Sequence, residues 1–248
     1  MTQQTEDRGL SSAALHILAM GCMLCDHLGV FFPSSVWLPC VGRLAFPIFA
    51  FLIAEGARHT RGMGRYMKRL LLLAVLSEIP FDLQYERSVF YPFHQNVIWT
   101  FLIALLVICL IERAKGSGRM WIVWPVSLTA VTAGFLAGYM VMADYYGAGV
   151  LMVLVFYFFR GRRWWDFLGQ FACLYYINVE MLGGLFYPVT LFGREFELLR
   201  QSLALLALVH ILMYRGRQCC HTRDFRWFCY AFYPAHMLLL YLPVRFLK

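Results

Sequence analysis

Long apolar runs broken by short clusters of charge dominate this chain. A transmembrane helix needs about 20 mostly apolar residues. Nine runs approach that length: Ser12 to Phe31, Pro39 to Ala57, Tyr66 to Phe81, Val97 to Ile111, Met120 to Gly138, Gly147 to Phe159, Phe167 to Pro188, Leu198 to Tyr214, and Trp227 to Val244. The stretch from Met120 to Phe159 holds Asp144 as its sole charge, which predicts two spans turning near Ala143 to Gly147. Reading it as one span would give eight and reverse the side of the C-terminus. With no Pro/Gly/Ser linker, repeat or low-complexity tract, the pattern predicts a single all-α polytopic domain over residues 1–248, with about nine spans.

Composition agrees: 61% of the 248 residues are hydrophobic and 15% are charged, well below the roughly 25% charged of soluble domains. Disorder and collagen-like repeats are excluded. The net charge of +8 changes meaning once the charges are placed along the chain. Short loops rich in Lys and Arg stay cytoplasmic. With the N-terminus inside, 16 of the 22 basic residues fall on the cytoplasmic side, among them Arg8, Arg58 to Arg69, Arg113 to Arg119, Arg160 to Arg163 and Arg215 to Arg226; six, Arg43, Arg87, Arg194, Arg200, Arg245 and Lys248, fall outside. The charge therefore reads as topology, not as a nucleic-acid footprint, and the expected home is the bacterial inner membrane. The first apolar segment continues through Asp26 and His27 with no small-residue cleavage site, so a removed signal peptide is not expected.

The eight cysteines change the picture little. Most lie in apolar spans, where Cys behaves as a small hydrophobe. Cys22-x-x-Cys25 lies in a membrane helix with no His/Cys set nearby, the Cys219-Cys220-His221 cluster lacks a fourth ligand and zinc-site spacing, and no metal site is expected. No P-loop, GxGxxG, HExxH or GxSxG motif occurs.

Ionisable groups in hydrocarbon are costly and mark pathways or sites. Here they gather toward the outer face: Asp26 and His27 in the first span, Arg43 at the start of the second, Glu78 at the end of the third, Asp144 in the turn between the fifth and sixth, and Asp82, His94 and Asn96 in or beside the loop joining the third and fourth. His16 and His27, eleven residues apart, share a helix face with Met20 and Met23, as a cavity wall running inward from the outer surface would. Asp26 next to His27 suggests a carboxylate-supported imidazole base, and Arg43 with Glu78 suggests either an ion pair or a direct role. The basic cluster Arg58, Arg61, Arg65, Lys68 and Arg69 on the inner side would suit the phosphates of a nucleotide-like molecule.

The segments Met23-Leu24-Cys25-Asp26-His27-Leu28-Gly29, Gly42-Arg43-Leu44-Ala45-Phe46-Pro47-Ile48-Phe49-Ala50-Phe51-Leu52-Ile53-Ala54-Glu55-Gly56, Ser77-Glu78-Ile79-Pro80-Phe81 and Phe232-Tyr233-Pro234-Ala235-His236-Met237 resemble, in order and over nearly the whole chain, the TraX family of integral membrane proteins. That family is named for a conjugation protein that acetylates the pilin N-terminus. It is similar in turn to membrane acyltransferases with a basic residue, ten residues and then a catalytic His in the first span. The pattern falls on His16 and His27, with His16 replacing the basic Arg or Lys.

The resemblance implies acetyl-CoA as acyl donor. It would be held by His16, Arg58, Arg61, Arg65, Lys68 and Arg69. His27 with Asp26 would act as base or transient acetyl carrier, Arg43 or Asn96 would donate to the oxyanion, and Asp82, Asp144 and His236 would line the cavity. The implied acceptor is an amine or hydroxyl on a pilin N-terminus or an envelope glycan. Two other readings stay open: a transporter with a His/carboxylate proton pathway, and a non-enzymatic assembly protein that binds a membrane partner.

Overall fold

The computed structural model describes residues 9–161, 163–191, 193–216 and 222–246. Arg8, Arg162, Arg217, Cys219, Cys220, His221 and Lys248, and the side chain of Arg245, lie outside the described residues. The fold is predominantly helical. Its elements are α1 (Ser12–Phe31), α2 (Trp37–Gly42), α3 (Ala45–His59), α4 (Met63–Tyr85), α5 (Val97–Gly116), α6 (Met120–Met140), α7 (Tyr146–Phe158), α8 (Trp164–Tyr175) with a π-helical continuation Tyr176–Leu182, strands β1 (Phe186–Leu191) and β2 (Arg194–Leu199), a 3-10 helix Arg200–Leu206 leading into α9 (Ala207–Leu212), and α10 (Arg223–Phe246).

Four helical stretches are long and apolar enough to cross a membrane: Ser12–Phe31, Trp37–His59, Val97–Gly116 and Met120–Met140. The exposed surface is apolar as well. Along α6, Trp121, Trp124, Leu128 and Leu136 are all exposed, a pattern suited to lipid and unfavourable in water. The molecule is a membrane protein. α7 is buried over nearly its whole length and forms the centre, packed by Ile48 and Ala50 of α3 and Leu105 and Ile108 of α5.

Local sequence explains the element ends. Ser11 caps α1, its side chain accepting from the Ala14 amide, and Pro33 follows the C-terminal end. Asn96 caps α5 in the same way, accepting from the Ile98 amide. The second apolar run is broken at Arg43 and Leu44. Pro47 causes the break: it has no N–H for the carbonyl of residue 43, and its ring clashes with that carbonyl. Between α6 and α7 the chain reverses over residues 141–145, within the turn that the lone Asp144 predicts.

The all-α expectation needs correction at one place. The run from Phe167 to Pro188 does not stay helical to its end: Gly183 (φ 54°) and Gly184 (φ 122°) stop it in left-handed backbone. Phe186–Leu191 then pairs antiparallel with Arg194–Leu199, Phe186 opposite Leu199 and Leu191 opposite Arg194. The segment expected as a span from Leu198 therefore begins as strand and 3-10 turn.

The α6–α7 contact rests on an absence of side chain. A Cβ added at Gly147 would strike the carbonyl oxygen of Phe135 and, at 2.9 Å, the ring of Tyr139. Backbone cannot retreat as a flexible side chain can. Gly147→Ala is expected to lower stability by about 1–3 kcal/mol, read as an earlier unfolding midpoint of the detergent-solubilised protein; an unchanged midpoint would show that the helices are not held this close.

Candidate functional site

Polar residues of α1, α2, α4, α10 and the loops after α4 and α6 meet at one end of the bundle. The helix break places Arg43 there. Its guanidinium forms an ion pair with Asp26. Nη1 donates to Gln201 Oε1 at 3.3 Å, and Nε donates to the carbonyl of Pro39 at 3.3 Å, an acceptor left free by the broken helix. Gln201 passes its amide on to Asn178 Oδ1 (2.9 Å), and Asn178 donates to the Leu174 carbonyl (2.8 Å). One buried chain of polar contacts thus joins α1, the α2–α3 junction, the π-helical segment and the 3-10 helix. Gly42 permits it, since a Cβ there would collide with the Asp26 side chain.

Asp26 therefore serves Arg43, and the partner of His27 is Gln84 on α4. The two are both buried, with Nδ1 and Oε1 3.1 Å apart. With a carbonyl oxygen facing it, Nδ1 carries the proton and Nε2 keeps its lone pair, the form a proton acceptor requires. His236 of α10 packs edge-on against His27, ring centroids 4.7 Å apart. Its Nδ1 donates to the Phe232 carbonyl at 2.7 Å, and its Nε2 is buried with no partner. Tyr85 and Tyr233 complete the aromatic wall at 5.8 and 6.4 Å from His27. Two buried imidazoles thus share one wall. Sequence spacing singled out His27, and the family resemblance His236; Gln84, Gln201 and Asn178 escaped both, because neutral amides carry no charge or pattern signal.

The remaining carboxylates have structural work. Glu78 Oε1 accepts from the Asn96 amide (3.2 Å), the Asn96 side chain (2.6 Å) and Trp99 Nε1 (2.5 Å). Asn96 also donates to the Ala74 carbonyl at 2.9 Å. Glu78 and Asn96 together fix the start of α5. Of the two expected oxyanion donors, Asn96 has both side-chain amide hydrogens committed, and Arg43 commits three of its five N–H groups. Asp82 Oδ2 accepts from the Tyr91 amide at 2.8 Å, ordering the α4–α5 loop. That loop meets the α6–α7 turn through Asp144 N to Gln95 O (2.9 Å) and Gln95 N to Met142 O (3.0 Å). The turn holds Met142, Tyr145 and Tyr146 at positive φ, and Tyr145 stacks on Phe46 at 4.0 Å. Surrounding contacts hold this strained backbone in place.

A cavity of about 360 Å³ lies inside the bundle, in the range of small-molecule sites. Its floor is apolar and its deep end reaches Met23, Val97 and Tyr233; His16, His59, Arg69 and Arg226 stand at the other end. The shared face of α1 is borne out for His16, Met20 and Met23, but the direction is reversed: the cavity runs in from the basic end and stops one ring short of His27, at Tyr233. Of the expected phosphate-binding residues, His16 and Arg69 line it. Arg58 lines a separate cavity, and Arg61, Arg65 and Lys68 line neither.

The TraX protein family model matches residues 11–244. Over 135 residues the chain is 30% identical to a protein described as "Probable fimbrial assembly protein FimC, serogroup H1" of Dichelobacter nodosus, a match covering 49% of this chain and 55% of that protein. The chain thus spans about half the length of this curated relative. No solved structure matches.

His94, in the α4–α5 loop, offers a test of the polar end. Its Nε2 lies 3.9 Å from Asp144 and its Nδ1 3.5 Å from Glu86. Asp144 foremost, then Glu86, hold its pKa above the ordinary 6.5 against the opposing effect of burial. The folded pKa exceeds the unfolded one, so this stabilisation is full below about pH 6.5 and is lost as pH rises through the folded value. For a half-exposed pair it should stay within about 1 kcal/mol. The midpoint of wild-type protein should fall between pH 6 and 8 more than that of His94→Gln; equal slopes would show that His94 bridges nothing.

Proposed function

The chain belongs to the TraX family, and from that premise we propose that it is a membrane acetyltransferase, moving an acetyl group from acetyl-CoA to an amine on the far side of the membrane. One observation carries the reading: a cavity with a basic mouth leads through apolar walls to Tyr233, whose ring lies against a pair of buried histidines. The N-terminus is taken as cytoplasmic, because that orientation leaves 16 of the 22 Lys and Arg residues on the cytoplasmic side, and Arg69 and Arg226, which line the cavity, are among them. About nine spans then cross the inner membrane, the shorter apolar helices Tyr146–Phe158 and Arg200–Leu212 among them.

 The acceptor faces the opposite end, where His27 lies.

In the proposed reaction the acceptor nitrogen attacks the thioester carbonyl carbon and His27 Nε2 takes the proton that the nitrogen loses. The C–N bond forms, the C–S bond breaks, and the CoA thiolate leaves and takes up the proton that His27 gained, which returns the imidazole to its neutral form. Gln84 fixes the tautomer that leaves Nε2 free to accept. His236, in ring contact with His27, keeps a second unpartnered ring nitrogen at the same place. Asp26 and Arg43 act at a distance from this chemistry: their ion pair holds α1 against the α2–α3 break and so sets where His27 points. The similarity to a fimbrial assembly protein favours a pilin N-terminus over an envelope glycan as acceptor.

Membranes containing the protein, given isotopically labelled acetyl-CoA and pilin, should label the pilin N-terminus. His27→Ala should reduce the rate at least about 100-fold, the usual contribution of a positioned base, without changing the amount of folded protein. Undiminished transfer by His27→Ala would overturn the assignment, and label appearing in glycan would change the acceptor.

A further inference from the structure

A second cavity, of about 310 Å³, opens at the basic end of the bundle and takes no part in the proposed transfer. Arg58 at the end of α3, Arg160 after α7 and Arg215 after α9 line it together. Glu55 also lines it, but that carboxylate is engaged by His59 Nε2 at 3.0 Å and by the Tyr214 hydroxyl at 3.5 Å. Three arginines and one already engaged carboxylate therefore line one cavity, with the Arg160 guanidinium over the ring of Tyr157 in the same wall, an arrangement suited to an anion with several oxygens. Gln170, buried in the same wall, donates to the Phe159 carbonyl at 2.5 Å and leaves its Oε1 without a partner.

The cavity does not end in polar surroundings. Through Phe167, Gln170 and Leu212 it continues into an apolar groove between α8 and the 3-10/α9 segment, lined by Leu168, Phe171, Leu205, Leu208 and Val209. Trp164 and Trp165 are exposed at the start of α8. Exposed tryptophans at a helix end mark the membrane interface, so the arginines stand at the depth of lipid headgroups and the groove descends into the hydrocarbon. A cationic head site continuous with an apolar tail groove matches one chemistry, an amphiphile with a phosphate head.

We propose that this paired pocket and groove is a binding site for an anionic phospholipid, its phosphate held by Arg58, Arg160 and Arg215 and an acyl chain laid along α8 and α9. The site is separate from the acetyl-donor cavity, although Glu55 and Tyr214 belong to the walls of both.

The test is lipid retention by the purified full-length protein, measured by native mass spectrometry after exchange into phosphatidylglycerol or, as the zwitterionic control, phosphatidylcholine. Wild-type protein should retain phosphatidylglycerol preferentially. The triple substitution Arg58→Ala, Arg160→Ala, Arg215→Ala should reduce that retention about tenfold or more, as expected for removing three cations at a membrane surface. Val209→Trp, which fills the groove and leaves the arginines in place, should reduce it as well. Equal retention of the two lipids, or retention unchanged in both variants, would overturn the proposal. Displacement of bound lipid by inorganic phosphate or CoA at equal concentration would also overturn it, by showing a site for a free phosphate instead. None of these outcomes depends on acetyl transfer.

Discussion

A guanidinium in hydrocarbon must be paired, and the way Arg43 meets this requirement organises the polar end of the molecule. Pro47 breaks the second apolar run four residues before itself, which frees backbone carbonyls and lets the Arg43 side chain turn back into the bundle. It then satisfies Pro39, neutralises Asp26 and reaches Gln201, so three distant parts of the chain share one charge. Removing either member of such a pair leaves the other buried and uncompensated, a larger penalty than the pair's net contribution. α1 is thereby fixed in rotation, and with it the direction of His27, one residue beyond Asp26.

The helices were legible in the sequence wherever an apolar run ended on a cap or a proline. The run from Ser12 to Phe31 coincides with α1, bounded by Ser11 and Pro33, and Asn96 marks the start of α5. The β-hairpin was hidden, because Phe186 to Leu191 is as apolar and aromatic as a span; Gly183-Gly184 and Pro188 signalled that helix could not continue, not that a strand would follow. Charges were legible as a group but not as pairs. Asp26 next to His27 suggested a dyad, yet consecutive residues on a helix point about 100° apart, and the tertiary fold gave Asp26 to Arg43 and His27 to Gln84. Amides such as Gln84 and Gln201 acquire meaning only through contacts that span 57 and 158 residues of sequence.

The depth at which each kind of residue lies also constrains what can enter. Between the basic mouth and the histidine pair, the cavity is walled by Met20, Met23, Leu70, Leu73 and Phe101. A phosphate carried along that wall would lose its hydration with no cation to replace it, so the charged part of any ligand is held best near Arg69 and Arg226. A neutral arm incurs no such penalty. A molecule that joins a phosphorylated head to a long, uncharged arm with a reactive end is therefore the shape this interior admits, and the ring of Tyr233 is what separates that reactive end from His27.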